Sequence, residues 1–219
     1  MVPIDVIAHI FDRLLPGAAV TVQLTVLSAI LAFFLSFLGG FGRLSKFRII
    51  RFVSAFLVEF FRGTSLLVQL FWLYFALPLL GLELPTGLVG ILALGINYGA
   101  YGSEVVRSAI LSIPQGQTEA GIALNMTPGQ RMRLIILPQA FRTMLPSFGN
   151  LLIELLKGTA LVSLITIPDM TFEAKSMRTN AEEYTLQIFG ILLILYFIIG
   201  YPLSLLTRWA ERRFSVGRS

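Results

Sequence analysis

The sequence of 219 residues has no cysteine and one histidine, His9. Without cysteine there are no disulfides, no thiolate metal sites and no thiol nucleophile. One histidine is too few for the convergent donors of a metal site, and no Ser/His/Asp or paired-carboxylate arrangement suggests an active site. His9 therefore reads as an interfacial side chain. Phosphate-binding signatures are missing as well. There is neither Gly-x-x-x-x-Gly-Lys-Ser/Thr nor a Gly-x-Gly-x-x-Gly opening a helix after a strand, so nucleotide hydrolysis has no cradle on this chain. Charged residues amount to only 13%. What fills the sequence is apolar: 56% hydrophobic residues and a mean hydropathy of +0.81 exclude a water-soluble domain of this length and indicate an all-α integral membrane protein.

An isoelectric point near 9.9 would point to nucleic acid in a soluble chain. Here the basic residues cluster at the ends of apolar runs, where they set orientation, so the expected partner is the lipid membrane and not nucleic acid. A span needs roughly twenty predominantly apolar residues. Five segments qualify, at about 16–42, 53–80, 86–111, 140–168 and 184–207, and several are long enough to predict tilt or extension beyond the lipid.

Arg43, Lys46, Arg48 and Arg51 lie between the first two spans, Arg131, Arg133 and Arg142 around the third connection, and Arg208, Arg212, Arg213 and Arg218 at the C-terminus. The alternate regions carry Asp5 and Asp12, then Glu83, then Asp169, Glu173, Glu182 and Glu183, diluted by Arg13, Lys175 and Arg178. The positive-inside rule then predicts the N-terminus outside and the C-terminus inside. An odd number of spans argues against the internal inverted repeat of many secondary transporters. Residues 16–210 are expected to form one transmembrane domain, with a basic cytoplasmic tail at 211–219.

The N-terminal residues lack the basic leader of a secretory signal peptide. Ile4, Ile7, Ala8, Phe11, Leu14 and Leu15 recur at helical spacing with Asp5, His9, Asp12 and Arg13 elsewhere on the wheel, which predicts a short interfacial helix over 1–15.

Polar groups interrupt the spans in stripes. Arg62, Ser65 and Gln69 share a helical face in the second, with Glu59 three residues before Arg62, and Asn150, Glu154 and Lys157 share one in the fourth, near Thr159 and Ser163. Ionisable groups at such depth face a bundle interior, a partner helix or a water-filled cavity. Two readings are open: Glu59 with Arg62 and Glu154 with Lys157 neutralise each other within one helix, or the stripes line a passage for a polar solute. In the third span Gly95, Gly99 and Gly102 favour close helix packing, and Glu104 with Arg107 anchors its end. The aromatic run Phe71–Phe75 before Pro78 predicts a belt at the outer interface.

The largest soluble-looking connection, about 112–138, contains Gln-Thr-Glu-Ala-Gly-Ile-Ala-Leu-Asn-Met-Thr-Pro-Gly-Gln-Arg-Met-Arg-Leu-Ile-Ile-Leu-Pro. Its chemistry predicts a short helix from about Thr118 to Leu124, a stop at Asn125, a new turn opened by Thr127-Pro128, and an apolar run ended by Pro138. The segment resembles the EAA loop of ABC-importer permeases: Glu-Ala-Ala, three residues, Gly, nine residues, Ile-x-Leu-Pro. Glu119, Ala120, Ile135, Leu137 and Pro138 fall in register, while Gly121 stands for the second Ala and Asn125 for the Gly.

The similarity runs from about Thr21 to Trp209 and favours the polar amino-acid branch of type I permeases, through segments such as Phe61-Arg62-Gly63-Thr64-Ser65-Leu66-Leu67-Val68-Gln69 and Leu161-Val162-Ser163-Leu164-Ile165. It implies a five-span subunit of the bacterial inner membrane, paired with a second copy or a paralogue. A cytosolic ATPase dimer would bind ATP and Mg, leaving this chain without cofactor or metal. An extracytoplasmic binding protein would deliver the solute, and the EAA loop would dock on the ATPase and pass a rigid-body shift to the spans. Arg62, Ser65, Leu66, Gln69, Glu154, Lys157, Gly158, Thr159 and Ser163 are the candidates for the substrate pathway.

Two departures bear on the solute and on shape. Relatives for cationic amino acids often read Lys-Asp-Ser/Thr-Ser-Leu where this chain reads Lys157-Gly158-Thr159-Ala160-Leu161, so the carboxylate that would pair a buried cation is missing. A neutral amino acid or an ectoine-type compatible solute is therefore expected, with Glu154 still able to supply a negative charge. Ser65 replaces a common Pro after Gly-Thr, which removes the usual cause of a helix bend there. The rival from another class is an ion-gradient-driven secondary transporter of a small polar solute.

Overall fold

A computed structural model describes residues 4–214; positions 1–3 and 215–219, including Arg218, lie outside the described residues. All regular structure among them is helical. Helix α1 spans Ile4–Arg43, α2 Arg48–Gly63 and α3 Leu66–Phe71, the last continuing through a π-helical turn at Trp72–Ala76 and a 3-10 turn at Leu77–Leu80. Helix α4 spans Thr86–Leu111, α5 Gln115–Ala123 and α6 Pro128–Arg131; a second π-helical turn, Met132–Ile136, leads into α7 at Leu137–Gly158. After a 3-10 segment at Thr159–Ile165 come α8, Met170–Asn180, and α9, Thr185–Phe214.

Three helical stretches are long and apolar enough to cross a membrane, and a fourth is added if α2 and the bent helix after it count as one span. Helix α4 is 26 residues long, about 39 Å at 1.5 Å per residue, and occupies the expected 86–111. Its glycines, Asn97, Tyr98 and Tyr101 dilute its apolar character.

The N-terminal segment differs from expectation. No boundary separates residues 1–15 from the first span, because α1 runs unbroken through Pro16. One side of it packs on protein, with Ile10 and Leu14 buried against Met170, Ala174, Ile188 and Leu192 of α8 and α9, while Ile7, Ala8 and Leu15 of the apolar stripe are exposed. Arg13 pairs with Glu173 at 3.4 Å. Directly after the proline, a Cβ at Gly17 would meet the Asp169 carbonyl carbon and the Met170 nitrogen at 2.9 Å, so backbone lies against backbone there. These contacts brace the helix where an isolated proline would weaken it. The expected tail at 211–219 is likewise helical as far as Phe214.

The second segment also differs. Helices α2 and α3 meet at an angle of 101°, without proline at the break. Thr64 and Ser65 are extended, which frees the carbonyls of the last turn of α2. Side chains take up two of them: the Thr64 hydroxyl donates to Phe60 O at 2.9 Å, and the Gln69 amide donates to Phe61 O at 2.9 Å and, beyond the helix, to Thr64 O at 3.3 Å and Thr64 Oγ1 at 2.7 Å. Asn97 of α4 donates to Phe61 O at 3.2 Å and to Gln69 Oε1 at 3.3 Å. The bend is thus fixed by two buried amides.

Helices α1 and α4 pack along most of their length, and the glycine stripe of α4 permits it. Added Cβ atoms at Gly95 and Gly99 would meet Leu31 at 2.5 Å and Leu35 Cβ at 2.8 Å, and one at Gly102 would collide with Ser36 Oγ. Both π-helical turns end two residues before a proline, Pro78 and Pro138. A proline ring clashes with the carbonyl four residues earlier, and a widened turn moves that carbonyl away. The apolar run therefore does not end at Pro138 but continues as helix.

Asp169 caps α8, its Oδ1 accepting from Phe172 N–H at 2.9 Å. The side chain is fully buried and Oδ2 has no hydrogen-bond partner. Burial pushes its pKa from 3.8 up to about 6, against the lowering effect of hydrogen bonds from the Phe172 and Thr171 backbone and nearby Thr171 and Tyr196 hydroxyls. The folded protein thus binds a proton more readily than the unfolded chain. Its stability contribution is complete below the unfolded value near 3.8 and is lost as pH rises through about 6. Asp169→Asn keeps a good N-cap. Thermal unfolding at acid and neutral pH is expected to show a smaller loss of stability with rising pH in that variant; an unchanged slope would remove Asp169 as its origin.

Candidate functional site

The connection between α4 and α7 is a small structured unit. Helix α5 covers Gln115–Ala123 and ends at Asn125, which adopts the left-handed conformation with φ of 56°. Met126 N–H closes the turn on Gly121 O at 3.0 Å. Thr127 and Gln130 then form a reciprocal capping box with Pro128 in the first position of α6.

Two contacts fix α5 to the helix that follows. Gly121 is buried, and a Cβ there would meet Arg131 Cγ and Cδ at 2.8 Å and Ile135 Cδ1 at 3.3 Å. Gln139 donates to Ile135 O at 2.9 Å and to Gln117 Oε1 at 3.3 Å. Glu119, Ala120 and Asn125 face outward together with Ile122 and Leu124, which are 54% and 73% exposed. Leu137 is half-buried and Pro138 exposed. The unit therefore offers a carboxylate beside bare apolar side chains, on a platform braced from behind.

A charge network sits where α1, α2 and α4 converge. Arg43 donates to Glu104 at 2.6 Å and to Glu59 at 3.2 Å; Arg62 pairs with Glu59 at 3.3 Å, and Arg107 grips Glu104 through Nε at 3.1 Å and a terminal nitrogen at 2.6 Å. The local pairs at three-residue spacing were visible in sequence; Arg43, 61 residues from Glu104 along the chain, was not.

The other charged stripe behaves differently. Glu154 and Lys157 are exposed on α7, and neither has an ion-pair partner among the described residues. Tyr98 donates to Glu154 O at 2.8 Å, and one turn along α4 Tyr101 donates to Arg62 O at 3.2 Å with the Arg62 guanidinium 5.5 Å from its ring centre. Arg62 and the Glu154–Lys157 pair thus flank one face of α4. Gly158 lies against Tyr98, whose hydroxyl would be 2.6 Å from an added Cβ.

The remaining candidates separate from this face. Ser65 is exposed at the bend and Leu66 packs into the core around Leu70 and Leu94. Gln69, Thr159 and Ser163 are buried and spend their polar groups on the chain itself, Thr159 on Leu156 O at 2.6 Å and Ser163 on Ala160 O at 2.8 Å. Tyr98 and Gln139 carry no sequence signal for these contacts, because each acts through a partner far along the chain. Among the described residues no group of three or more His, Cys, Asp or Glu converges on a metal position.

The sequence profile described as "Binding-protein-dependent transport system inner membrane component" matches residues 26–216. A probable amino-acid ABC transporter permease of Sinorhizobium fredii, y4tF, is 45% identical, the match covering 90% of this chain and 88% of that protein. The L-cystine transport system permease TcyB of Bacillus subtilis is 36% identical, with 97% and 91% covered. The glutamine transport system permease GlnP of Escherichia coli is 34% identical, with 93% of each covered. Among solved structures, a crystal structure of an amino acid ABC transporter with histidines superposes with a TM-score of 0.90 at 31% identity, covering 97% of this chain and 99% of that one.

Proposed function

The chain belongs to the family of binding-protein-dependent transport system inner membrane components, and from that premise we propose that it passes a neutral or zwitterionic amino acid, or a compatible solute such as ectoine, in preference to a cationic one. It is the permease subunit of an amino-acid ABC importer, a multi-pass protein of the bacterial cytoplasmic membrane and a translocation subunit rather than an enzyme. Such permeases work with an ATPase and a solute-binding protein.

The solute reading rests on one observation above all: Glu154 and Lys157 stand exposed and unpaired on the face beside Tyr98, where Gly158 leaves no carboxylate for a second cation. One acid and one base a helical turn apart complement the ammonium and carboxylate of a zwitterion. A phenol next to them adds a neutral hydrogen-bonding group.

In this reading five spans cross the membrane with the N-terminus outside. The unit containing Glu119, Ala120, Gly121, Asn125, Ile135, Leu137 and Pro138 faces the cytosol and docks on an ATPase dimer, which holds ATP and Mg. A second permease, identical or paralogous, completes the passage. Support comes from the exposed Glu119 face and its bracing against Arg131, Ile135 and Gln139.

The test is uptake by proteoliposomes containing this chain with its ATPase, permease partner and binding protein. ATP-dependent uptake is expected for glutamine or ectoine and not for arginine; ATP-dependent arginine uptake would overturn the solute reading alone, and uptake driven only by an ion gradient would point to secondary transport. Hydrogen bonds to charged groups contribute about 1.5–3 kcal/mol. Lys157→Gln is therefore expected to lower uptake roughly tenfold or more. Wild-type uptake by that variant would take Lys157 out of the pathway.

A further inference from the structure

Two apolar hollows open between the helices at the surface of the chain. One, about 600 Å³, lies between α1, α7 and α9 and is lined by Val22, Val26, Ile30, Leu152 and Leu203. The other, about 680 Å³, lies between α1 and the start of α7, against Leu137, Pro138 and Phe141. Phe33 and Phe34 line both, so the two form one groove running along the helix axes.

Arg133 and Arg142 line the second hollow only. Both are exposed, and neither has an ion-pair partner among the described residues. The C-terminal portions of α1 and α9 and the start of α7 lie at this end, together with Arg43, Arg212 and Arg213. The groove therefore has the polarity of an amphiphile: a long apolar trough with two guanidinium groups at the end where a membrane meets water.

We propose that this groove binds an anionic phospholipid, with its phosphate between Arg133 and Arg142 and an acyl chain along Phe33, Phe34 and the α1–α7–α9 hollow. Guanidinium groups suit phosphate because they present several N–H donors in a planar fork. Basic hollows at the ends of membrane helices recognise charged headgroups on the same principle. The site depends on membrane location and not on which solute is carried.

The test uses the full chain with its partners in phosphatidylcholine vesicles, with Phe34→Trp as a reporter in a Trp72→Phe, Trp209→Phe background. Brominated phosphatidylglycerol is expected to quench the reporter roughly fivefold more effectively than brominated phosphatidylcholine at equal mole fraction. Arg133→Gln with Arg142→Gln is expected to erase that preference. Equal quenching by both lipids would mean ordinary boundary lipid, and no quenching by either would mean that a second permease covers the groove; each outcome overturns the proposal. So would a preference that survives loss of both arginines. Thermal unfolding of the otherwise unaltered chain in detergent gives an independent reading: phosphatidylglycerol is expected to raise Tm more than phosphatidylcholine only while both arginines are present, and equal shifts would count against the site.

Discussion

Glu119→Lys is expected to leave the protein in the membrane, while solute-stimulated ATP hydrolysis disappears and uptake falls at least tenfold. The residue is exposed on α5 beside Ile122 and Leu124, and the unit is held together from behind by Gly121, Arg131 and Gln139. The substitution thus changes the outward face and leaves the internal packing intact. Truncating one partner of a buried charge pair costs roughly 2–5 kcal/mol in an interface. Every 1.4 kcal/mol is about a factor of ten in affinity, so reversal of the charge would weaken docking by one to several orders of magnitude. Membrane content measured by immunoblot separates this outcome from misfolding, and normal stimulated hydrolysis with normal uptake would remove Glu119 from the docking surface.

The second large effect is expected at Gly99, in the longest helix contact of the fold. A side chain there meets not only Leu35 but the backbone of α1, with Ala32 O at 3.3 Å and Ala32 Cα at 3.4 Å from an added Cβ. Backbone cannot rotate away as a side-chain tip can. Gly99→Leu must therefore part α1 from α4, and with them the Ser36 hydroxyl from Gly99 O, now 3.3 Å apart. Overpacking typically costs about 1–3 kcal/mol, and separating two helices is expected to reach the upper end or exceed it. Thermal unfolding in detergent is expected to fall by several degrees, with less protein recovered. Gly87, on the same helix, has nothing within 4 Å of an added Cβ, so Gly87→Ala should change neither. Equal stability of the Gly99 and Gly87 variants would show that the helix contact tolerates separation.

The features legible in the sequence were those fixed by neighbours a few residues away. Asn125 stops α5, Thr127-Pro128 starts α6, and Glu59–Arg62 and Glu104–Arg107 pair at a helical turn because local geometry alone requires it. The glycine stripe of α4 was legible for the same reason, since spacing alone put three small residues toward one neighbour. What escaped depends on distant partners. The bend at Thr64-Ser65 has no proline to announce it and is fixed by Gln69 and Asn97, a pair brought together only by the fold. Conversely Pro16 signals a break that α8 and α9 suppress by packing against Ile10 and Leu14. Glu154 and Lys157 have the spacing of a local pair, yet they form none among the described residues.

The helical stretch Pro128–Ile165 carries the chain from the capped turn beside α5 into the face that bears Lys157 without a break. At 1.5 Å per residue, Lys157 stands about 44 Å from Pro128 along this rod. The rod is a lever arm: a tilt of roughly 5° about its capped end sweeps Lys157 sideways by about 4 Å, the width of a small solute's headgroup. Gearing of that size means that a minor rocking of the capped end would displace the polar face by that width, with every hydrogen bond of the rod intact.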